Sequence, residues 1–259
     1  MRTRARASWA PRDEPPGFTI GDIDPAVRSK LTKGWQRLCE DERDSVIAAT
    51  FVAADLARLG APAAILGRAS RVIEDEIRHV AVCTDTLAAL GADPREVPVA
   101  RRRKSDGDDA IEMRTARTLF AGFAVGEPMS AACFGAARAR TRVPLFRWAF
   151  TELLRDEVRH GEFGIAAGEW VVRNWSLDQR AALWPICVAE MEEFERRLGG
   201  PLKDPVDIAA PATDTSRFGL LSTAESCDAA ISCIPRWVLP ALQRLGVAPS
   251  GRAAVGSKE

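Results

Sequence analysis

The chain has 259 residues, enough for one large domain or two small ones, and its 46% hydrophobic content is that of an ordinary globular protein. Its 36 basic and 36 acidic residues cancel, so charge gives no indication of a nucleic-acid partner or a membrane surface. We expect no membrane-spanning segment. The six cysteines form neither a C-x-x-C pair nor a disulfide framework, which favours a cytoplasmic protein.

Arginine and proline are frequent in the first 23 residues, which contain no apolar core like that of a signal peptide. We therefore predict a disordered arm over residues 1–23. Asp24 as a helix N-cap, followed by Pro25 at the first helical position, marks the start of the folded part. Apolar residues at steps of three and four then predict four long helices, over residues 24–60, 62–90, 108–141 and 144–174.

Two capping boxes predict two further helices in the last third of the chain. One box begins at Ser176 and its helix should end near Leu198, whereas the other begins at Ser222 and its helix should end near Leu245. Three prolines lie inside these helices and should kink them, at Pro185, Pro235 and Pro240.

The predicted helices divide the chain into a main domain and an appended part. We expect residues 24–174 to form the main helical domain and the helices of residues 175–247 to pack against its outside. Residues 200–221 are predicted to be an irregular linker, and residues 248–259 a disordered tail.

Both of the chain's two histidines lie in the same five-residue pattern, D-E-x-R-H. The first copy spans residues 75–79 and the second residues 156–160. On a helix, a Glu and the His three positions later share one face. Two such pairs on facing helices could converge on a pair of metal ions.

Each of the four long helices has an apolar, core-facing stripe that is interrupted near its middle by a glutamate. A buried carboxylate costs on the order of several kcal/mol unless a positive charge compensates it. Four glutamates carry a charge that two divalent cations would neutralise. These glutamates are Glu42, Glu76, Glu127 and Glu157. Three other acidic residues lie close to Glu42 in the sequence, but only Glu42 falls on the stripe; they are Glu40, Asp41 and Asp44.

The connection of residues 91–107 could reach roughly 55 Å when extended, which is enough to run the length of a helix bundle. With the pattern E…E-x-x-H…E…E-x-x-H, the chain resembles the ferritin-like di-iron carboxylate superfamily. The D-E-x-R-H form is similar to the hydroxylase subunits of bacterial multicomponent monooxygenases. Residues 42–46 and 219–222 also look like a group of bacterial ferritin-like proteins. The resemblance implies an all-α fold: a ferritin-like four-helix bundle with a long crossover between helices 2 and 3, plus two additional C-terminal helices.

The resemblance also implies a role for each residue of the pattern. Glu76 and Glu157 would bridge two metal ions; Glu42 and His79 would complete one metal position, and Glu127 and His160 the other. Behind these ligands, Asp75 and Asp156 would each accept the N–H of a histidine from the opposite helix. The two arginines of the pentads, Arg78 and Arg159, would neutralise those aspartates.

For function, the resemblance implies two iron ions, with manganese, mixed manganese and iron, or zinc as alternatives. They would use O2 and electrons from a separate donor to oxidise a small organic substrate, in a chain that could form a homodimer. An iron-handling protein, either a ferroxidase or a peroxide scavenger, is an alternative, and so is a non-enzymatic metal-binding protein. The chain has no tyrosine, which excludes the radical of a ribonucleotide reductase small subunit, and no C-x-x-C pair, which excludes the rubredoxin half of a rubrerythrin.

Small and aromatic residues cluster on one side of the predicted ligands. They could line a substrate pocket, although tight packing between helices explains small residues at least as well. The residues of this predicted pocket are Ser45, Ala49, Phe120, Phe123, Gly161, Gly164 and Gly168. Pro128, directly after Glu127, removes a helical hydrogen bond, which would either open space for coordination or bend the helix around the core.

Overall fold

The computed structural model describes residues 9–19, 21, 23–97, 110–198 and 216–250. These residues form helices and no β-strand, so the described part of the chain is all-α, as predicted. The helices are α1 (Pro25–Arg58), α2 (Ala63–Ala89), α3 (Ile111–Arg140), α4 (Pro144–Val171), α5 (Leu177–Ala181), α6 (Trp184–Arg197) and α7 (residues 223–244). Two of them contain a π-helical segment, Thr118–Gly126 in α3 and Ile234–Val238 in α7.

The predicted start signals act as expected. Asp24 accepts hydrogen bonds from the backbone N–H groups of Ala26 and Val27 at the start of α1. Ser176 and Ser222 each open a helix with a complete capping box.

The four long helices pack as two hairpins, α1 with α2 and α3 with α4, and α2 also packs against α4. The turn between α1 and α2 needs Gly60, whose φ of +75° lies in the left-handed region that favours glycine. Two apolar clusters fill the space between the helices. One contains Leu56, Phe120 and Phe163, and the other contains Trp35 and Phe146. We call these four helices the four-helix core.

Helix α3 is more apolar than the sequence analysis expected. It contains an 18-residue window with a mean hydropathy of 1.3, so by length and composition it could cross a membrane, contrary to the expectation that no segment would. In the structure this helix packs against α4 on one side and against α6 and α7 on another. These contacts leave 44% of the residues in the apolar window buried.

Helices α6 and α7 pack against α3, and the three predicted prolines lie where the C-terminal helices are irregular; Pro240 lies in the first turn after the π-helical segment of α7. The helix predicted over residues 176–198 is divided into α5 and α6, and Pro185 lies in the first turn of α6. Pro235 lies in the π-helical segment of α7. Of the predicted linker, residues 200–215 lie outside the described residues and Ser216–Phe218 form a 3-10 turn. Most of the predicted crossover, residues 98–107, and the end of the tail, residues 251–259, also lie outside them.

The N-terminal segment of residues 9–19 lies against the four-helix core, which differs from the disordered arm predicted for residues 1–23. The backbone carbonyl of Ala10 accepts a hydrogen bond from Arg78, and that of Asp13 accepts one from the Trp148 indole N–H. Phe18 packs edge-on against Phe146, with ring centroids 5.8 Å apart. These contacts hold residues 9–19 in place despite the Arg- and Pro-rich composition of residues 1–23. Residues 1–8 lie outside the described part.

Candidate metal centre

The four-helix core brings the six predicted ligands together in the middle of the molecule, between its two apolar clusters. Helix α1 supplies Glu42, α2 supplies Glu76 and His79, α3 supplies Glu127, and α4 supplies Glu157 and His160. Both imidazoles and three of the carboxylates are buried; Glu127, with a side chain 14% exposed, is the most accessible of the six.

The two histidines present Nδ1 to the carboxylates. His79 Nδ1 lies 3.2 Å from Glu42 Oε2 and 3.5 Å from both Glu76 Oε2 and Glu157 Oε1. His160 Nδ1 lies 3.1 Å from Glu76 Oε1, 3.6 Å from Glu157 Oε2 and 3.9 Å from Glu127 Oε2. Glu76 and Glu157 therefore contact both imidazoles, whereas Glu42 contacts only His79 and Glu127 only His160 among these pairs.

The side chains form two groups whose donor atoms lie within 4.8 Å of one another. One group is Glu42, His79 and Glu157; the other is Glu76, Glu127 and His160. The predicted pairing of Glu42 with His79 and of Glu127 with His160 agrees with this grouping. The bridging role of Glu76 and Glu157 stays a prediction that their contacts support.

Several buried polar atoms of this cluster have no hydrogen-bond partner. They include Glu76 Oε1, Glu157 Oε2 and His160 Nδ1. A buried polar atom without a partner costs free energy of about 1–3 kcal/mol, so a folded protein usually satisfies it. A cation in each group of three would do so, and carboxylate oxygens combined with imidazole nitrogens suit iron, manganese or zinc. The donor set therefore fits metal ions.

Without a metal, protons must supply the missing positive charge. Burial raises the pKa of Glu42 to about 7, and burial together with the charge of Glu127 raises that of Glu157 well above its usual value. Burial alone would lower the pKa of both imidazoles, but the charges of Glu42 beside His79 and of Glu76 beside His160 raise each well above the usual value. Burial also opposes ionisation of Glu76, yet the nearby His160 charge holds its pKa below the usual range.

The aspartates of the pentads lie behind the histidines, each facing the histidine of the opposite helix. His79 Nε2 is 3.6 Å from Asp156 Oδ2, and His160 Nε2 is 3.5 Å from Asp75 Oδ2. Both aspartates are fully buried. The placement is the crossed one that the resemblance implies, but both Nε2 atoms lack a hydrogen-bond partner among the described residues, so acceptance of their N–H by the aspartates stays a prediction.

The pentad arginines cross in the same way. Arg78 donates to its own Asp75 at 2.7 Å and to Asp156 at 2.8 Å. Arg159 donates to its own Asp156 and, at 2.9 Å, to Asp75. The four side chains thus form an ion-pair network, buried except for the partly exposed Arg159, that holds the carboxylates in position behind the imidazoles.

Three further residues adjoin this network and were not predicted from the sequence. Arg12 donates to Asp156 through its guanidinium and to Glu152 through its backbone N–H, at 2.7 Å. Glu152 is fully buried and also pairs with Arg155. No local pattern marks Arg12, because its partners are 140 and 144 residues away; Glu152, in contrast, lies one helical turn before Asp156.

The π-helical segment of α3 ends directly before Glu127. The backbone N–H of Glu127 donates to the carbonyl of Gly122, five residues earlier. A π turn holds one more residue than an α turn, so it changes the direction in which the following side chains point. Pro128, which has no N–H to donate, follows at once. The irregularity predicted near Pro128 is therefore a π segment that presents Glu127 to the other ligands.

A cavity of about 500 Å³ adjoins the cluster on the side of α1, α3 and α6. Its wall includes three of the predicted ligands, Glu42, Glu127 and Glu157. Aromatic and other apolar side chains form much of the rest, among them Leu38, Phe123, Phe134, Phe150, Phe194 and Leu220.

Only two of the predicted pocket residues, Ser45 and Phe123, line this cavity. The prediction is wrong for the three glycines of α4, because neighbouring atoms fill the space that their missing side chains leave. A Cβ at Gly164 would lie 2.6 Å from Ala124 N, one at Gly168 2.8 Å from the Phe120 ring, and one at Gly161 3.1 Å from Pro128. Ala49 and Phe120 belong to the apolar core. Tight helix packing, the alternative, accounts for these five.

The described residues thus define an all-helical protein with a buried glutamate and histidine cluster that can hold metal ions. Comparisons of the chain with protein-family models, with curated proteins and with solved structures give no significant match.

Proposed function

We propose that this protein is a ferritin-like di-iron oxidase or oxygenase that uses O2 to oxidise a small organic substrate. The observation that carries the proposal is the cavity of about 500 Å³ whose wall includes Glu42, Glu127 and Glu157. A ligand in this cavity would lie beside the carboxylates that face the metal positions. The volume falls within the range of small-molecule sites, which are commonly concave and largely apolar.

Four features of the structure support the ferritin-like part of the proposal. Two helical hairpins pack side by side, and each of the four helices contributes one glutamate. Glu76 with His79, and Glu157 with His160, repeat the Glu-x-x-His spacing on α2 and α4. The fourth feature is the contact of Glu76 and Glu157 with both imidazoles.

The ligands would hold two irons, which supply Lewis acidity and electrons for the reduction of O2. The four carboxylates balance the charge of two divalent ions and leave the imidazoles neutral. Asp75 and Asp156 would accept the Nε2–H protons and so keep Nδ1 free to coordinate. Phe123 and Phe134 line the same cavity as Glu127 and would give a substrate an apolar surface beside it.

Iron handling is the second candidate, and acidic residues in the cavity wall favour it. Asp41, Asp44 and Glu190 line the cavity, and such carboxylates could guide a hydrated cation to Glu127. Two arginines of the same wall, Arg37 and Arg197, oppose this role. We favour an organic substrate because many of the remaining wall residues are aromatic or aliphatic, although serine, threonine and cysteine residues also line the cavity.

The proposal is tested by loading the protein with Fe(II) without oxygen, measuring iron per chain, and then adding O2. We expect close to two irons per chain. With a reductant and a panel of small aromatic, aliphatic and amine compounds, we expect O2 consumption coupled to an oxidised organic product. The control is Glu157→Ala, which should consume O2 only at the rate of free iron.

Two results would contradict the oxygenase proposal. One is assembly into a large hollow cage that accumulates oxidised iron and gives no organic product, which would support iron handling. The other is an iron content near zero after loading, which would remove the metal site itself.

A further inference from the structure

The network behind the two histidines is nearly two-fold symmetric, and Arg12 breaks that symmetry. Arg78 and Arg159 each bind both aspartates. Among the described residues, Asp75 pairs with these two arginines. Asp156 pairs with the same two and with a third arginine, Arg12. The additional partner binds Asp156 Oδ1, and Asp156 Oδ2 faces His79.

From this asymmetry we infer that Arg12 is a positioning residue for one of the two metal positions. By holding Asp156 behind His79, it fixes the orientation of that imidazole and strengthens the position formed by Glu42, His79 and Glu157. The inference rests on the proposed binding of two metal ions, but not on the oxidation of a substrate.

Backbone groups next to the Arg12 guanidinium also hold this segment against the four-helix core. The Arg12 N–H donates to Glu152, the Ala10 carbonyl accepts from Arg78, and the Asp13 carbonyl accepts from Trp148. None of these bonds uses the Arg12 side chain. A substitution of Arg12 therefore removes the guanidinium from Asp156 and leaves these three backbone hydrogen bonds available.

Loss of the charge and hydrogen bond of Arg12 should weaken metal binding at the position that includes His79. The Asp156 carboxylate is fully buried, and the Arg12 side chain is 33% exposed. Without Arg12, Asp156 keeps Arg78 and Arg159, so the network loses one donor of three. An aspartate that moves more freely orients the His79 N–H less well, which weakens coordination through Nδ1. Arg12 binds Asp156, whereas His160 faces Asp75. The metal position that includes His160 should therefore not change.

The experiment is an anaerobic titration of the full-length protein with Co(II), followed through its visible absorption, with competition by a chelator. Wild type is compared with Arg12→Ala and Arg12→Lys. The matched control is Arg196→Ala, which removes an arginine from an exposed ion pair with Glu193 on α6. His79→Ala and His160→Ala assign each binding step to one position.

We expect Arg12→Ala to bind one Co(II) per chain as wild type does and the other about ten-fold more weakly, at the lower end of the effect of outer hydrogen-bond partners. The weakened step should be the one that His79→Ala removes. Arg12→Lys, which keeps the charge, should recover part of the affinity. Arg196→Ala should match wild type in both steps.

Three results would overturn the inference. Equal weakening of both steps would indicate a general structural role, and two unchanged steps would show that Arg12 does not act on the metal position. In both cases wild type still binds two ions, so the proposed metal site stands. Failure of wild type to bind Co(II) would refute the site and the inference together. Should Arg12→Ala not fold, Arg12→Lys and Arg12→Gln carry the same comparison.

Discussion

Glu76 and Glu157 each contact the same two imidazoles from facing helices. Glu76 lies 3.1 Å from His160 Nδ1 and 3.5 Å from His79 Nδ1, and the corresponding distances for Glu157 are 3.6 Å and 3.5 Å. One oxygen of each carboxylate faces each histidine. This arrangement supports the prediction that each of these carboxylates bridges two cations, whereas Glu42 contacts only His79 and Glu127 only His160 among these pairs.

Removal of either central carboxylate should therefore affect both metal positions. We expect Glu76→Ala and Glu157→Ala to lose the binding of two metals, with stoichiometry falling from near two ions per chain to one or fewer. Metal analysis after equilibrium dialysis measures this. Glu162→Ala, which removes an exposed carboxylate of the same helix α4, should keep two. Two tightly bound ions in Glu76→Ala would refute the bridging role.

Asp156→Asn tests the role of the carboxylates behind the histidines. The change keeps the size of the side chain but removes the charge that Arg78 and Arg159 neutralise, and its amide can present N–H instead of oxygen to His79. We expect metal affinity to fall by roughly 10–100-fold. Chelator competition measures the affinity, with Asp178→Asn on the surface of α5 as a control. Unchanged affinity would show that Asp156 does not orient the ligand.

The helical period explains why the residues of the two pentads could be placed from the sequence. Glu76 and His79 lie three positions apart and face inward together, and Asp75 and Arg78 follow from the same spacing on the adjoining face. The side of the cavity could not be predicted in this way. Glycines such as Gly164 mark close helix contacts and pockets equally, and only the position of Phe123 and Ala124 decides between them. Arg12 contacts residues that are distant in the sequence, so no local periodicity could predict its position.

A substitution that narrows the cavity should affect substrate oxidation but not metal binding. Ser130 lines the cavity one turn after Glu127. We expect Ser130→Phe to occupy the part of the cavity beside Glu127, keep two metals per chain, and reduce the formation of organic product at least ten-fold. Product analysis and metal content measure the two effects. Ser232→Phe, at an exposed position of α7, should change neither. Full activity of Ser130→Phe would place the substrate elsewhere.

The close packing of α3 against Gly164 predicts that a larger residue at this position lowers stability. A methyl group there would lie 2.6 Å from Ala124 N and from Phe123 Cβ and 2.8 Å from the Leu119 carbonyl, so α3 and α4 must move apart. We expect Gly164→Ala to lower the free energy of unfolding by about 1–3 kcal/mol. Gly135→Ala, where nothing lies within 4 Å, should raise it by about 0.5–1 kcal/mol. Urea denaturation of the metal-free proteins measures both, and equal stabilities would contradict the close packing.

The metal-free cluster also predicts how stability depends on pH. Burial raises the pKa of Glu42 from 4.5 to about 7, and burial with the charge of Glu127 raises that of Glu157. The folded chain therefore binds these protons more tightly than the unfolded chain, and stability falls as pH rises above about 4.5. His79 and His160 act in the same direction, because stability from their raised pKa is complete below 6.5 and lost above it. Glu76 and Asp156, whose pKa values are lowered, give stability that is lost only as pH falls below about 4.

Between roughly pH 5.5 and 8, we thus expect the melting temperature of the metal-free protein to fall with rising pH. Metal ions displace the same protons, so their affinity should rise over this range, and with saturating Co(II) the dependence should weaken or reverse. Thermal melts with chelator or with Co(II) measure both curves. Glu42→Gln, which cannot titrate, should reduce the slope of the metal-free curve. A metal-free melting temperature that is constant over this range would contradict proton uptake by the cluster, since four buried groups titrating in the same direction cannot leave stability unchanged.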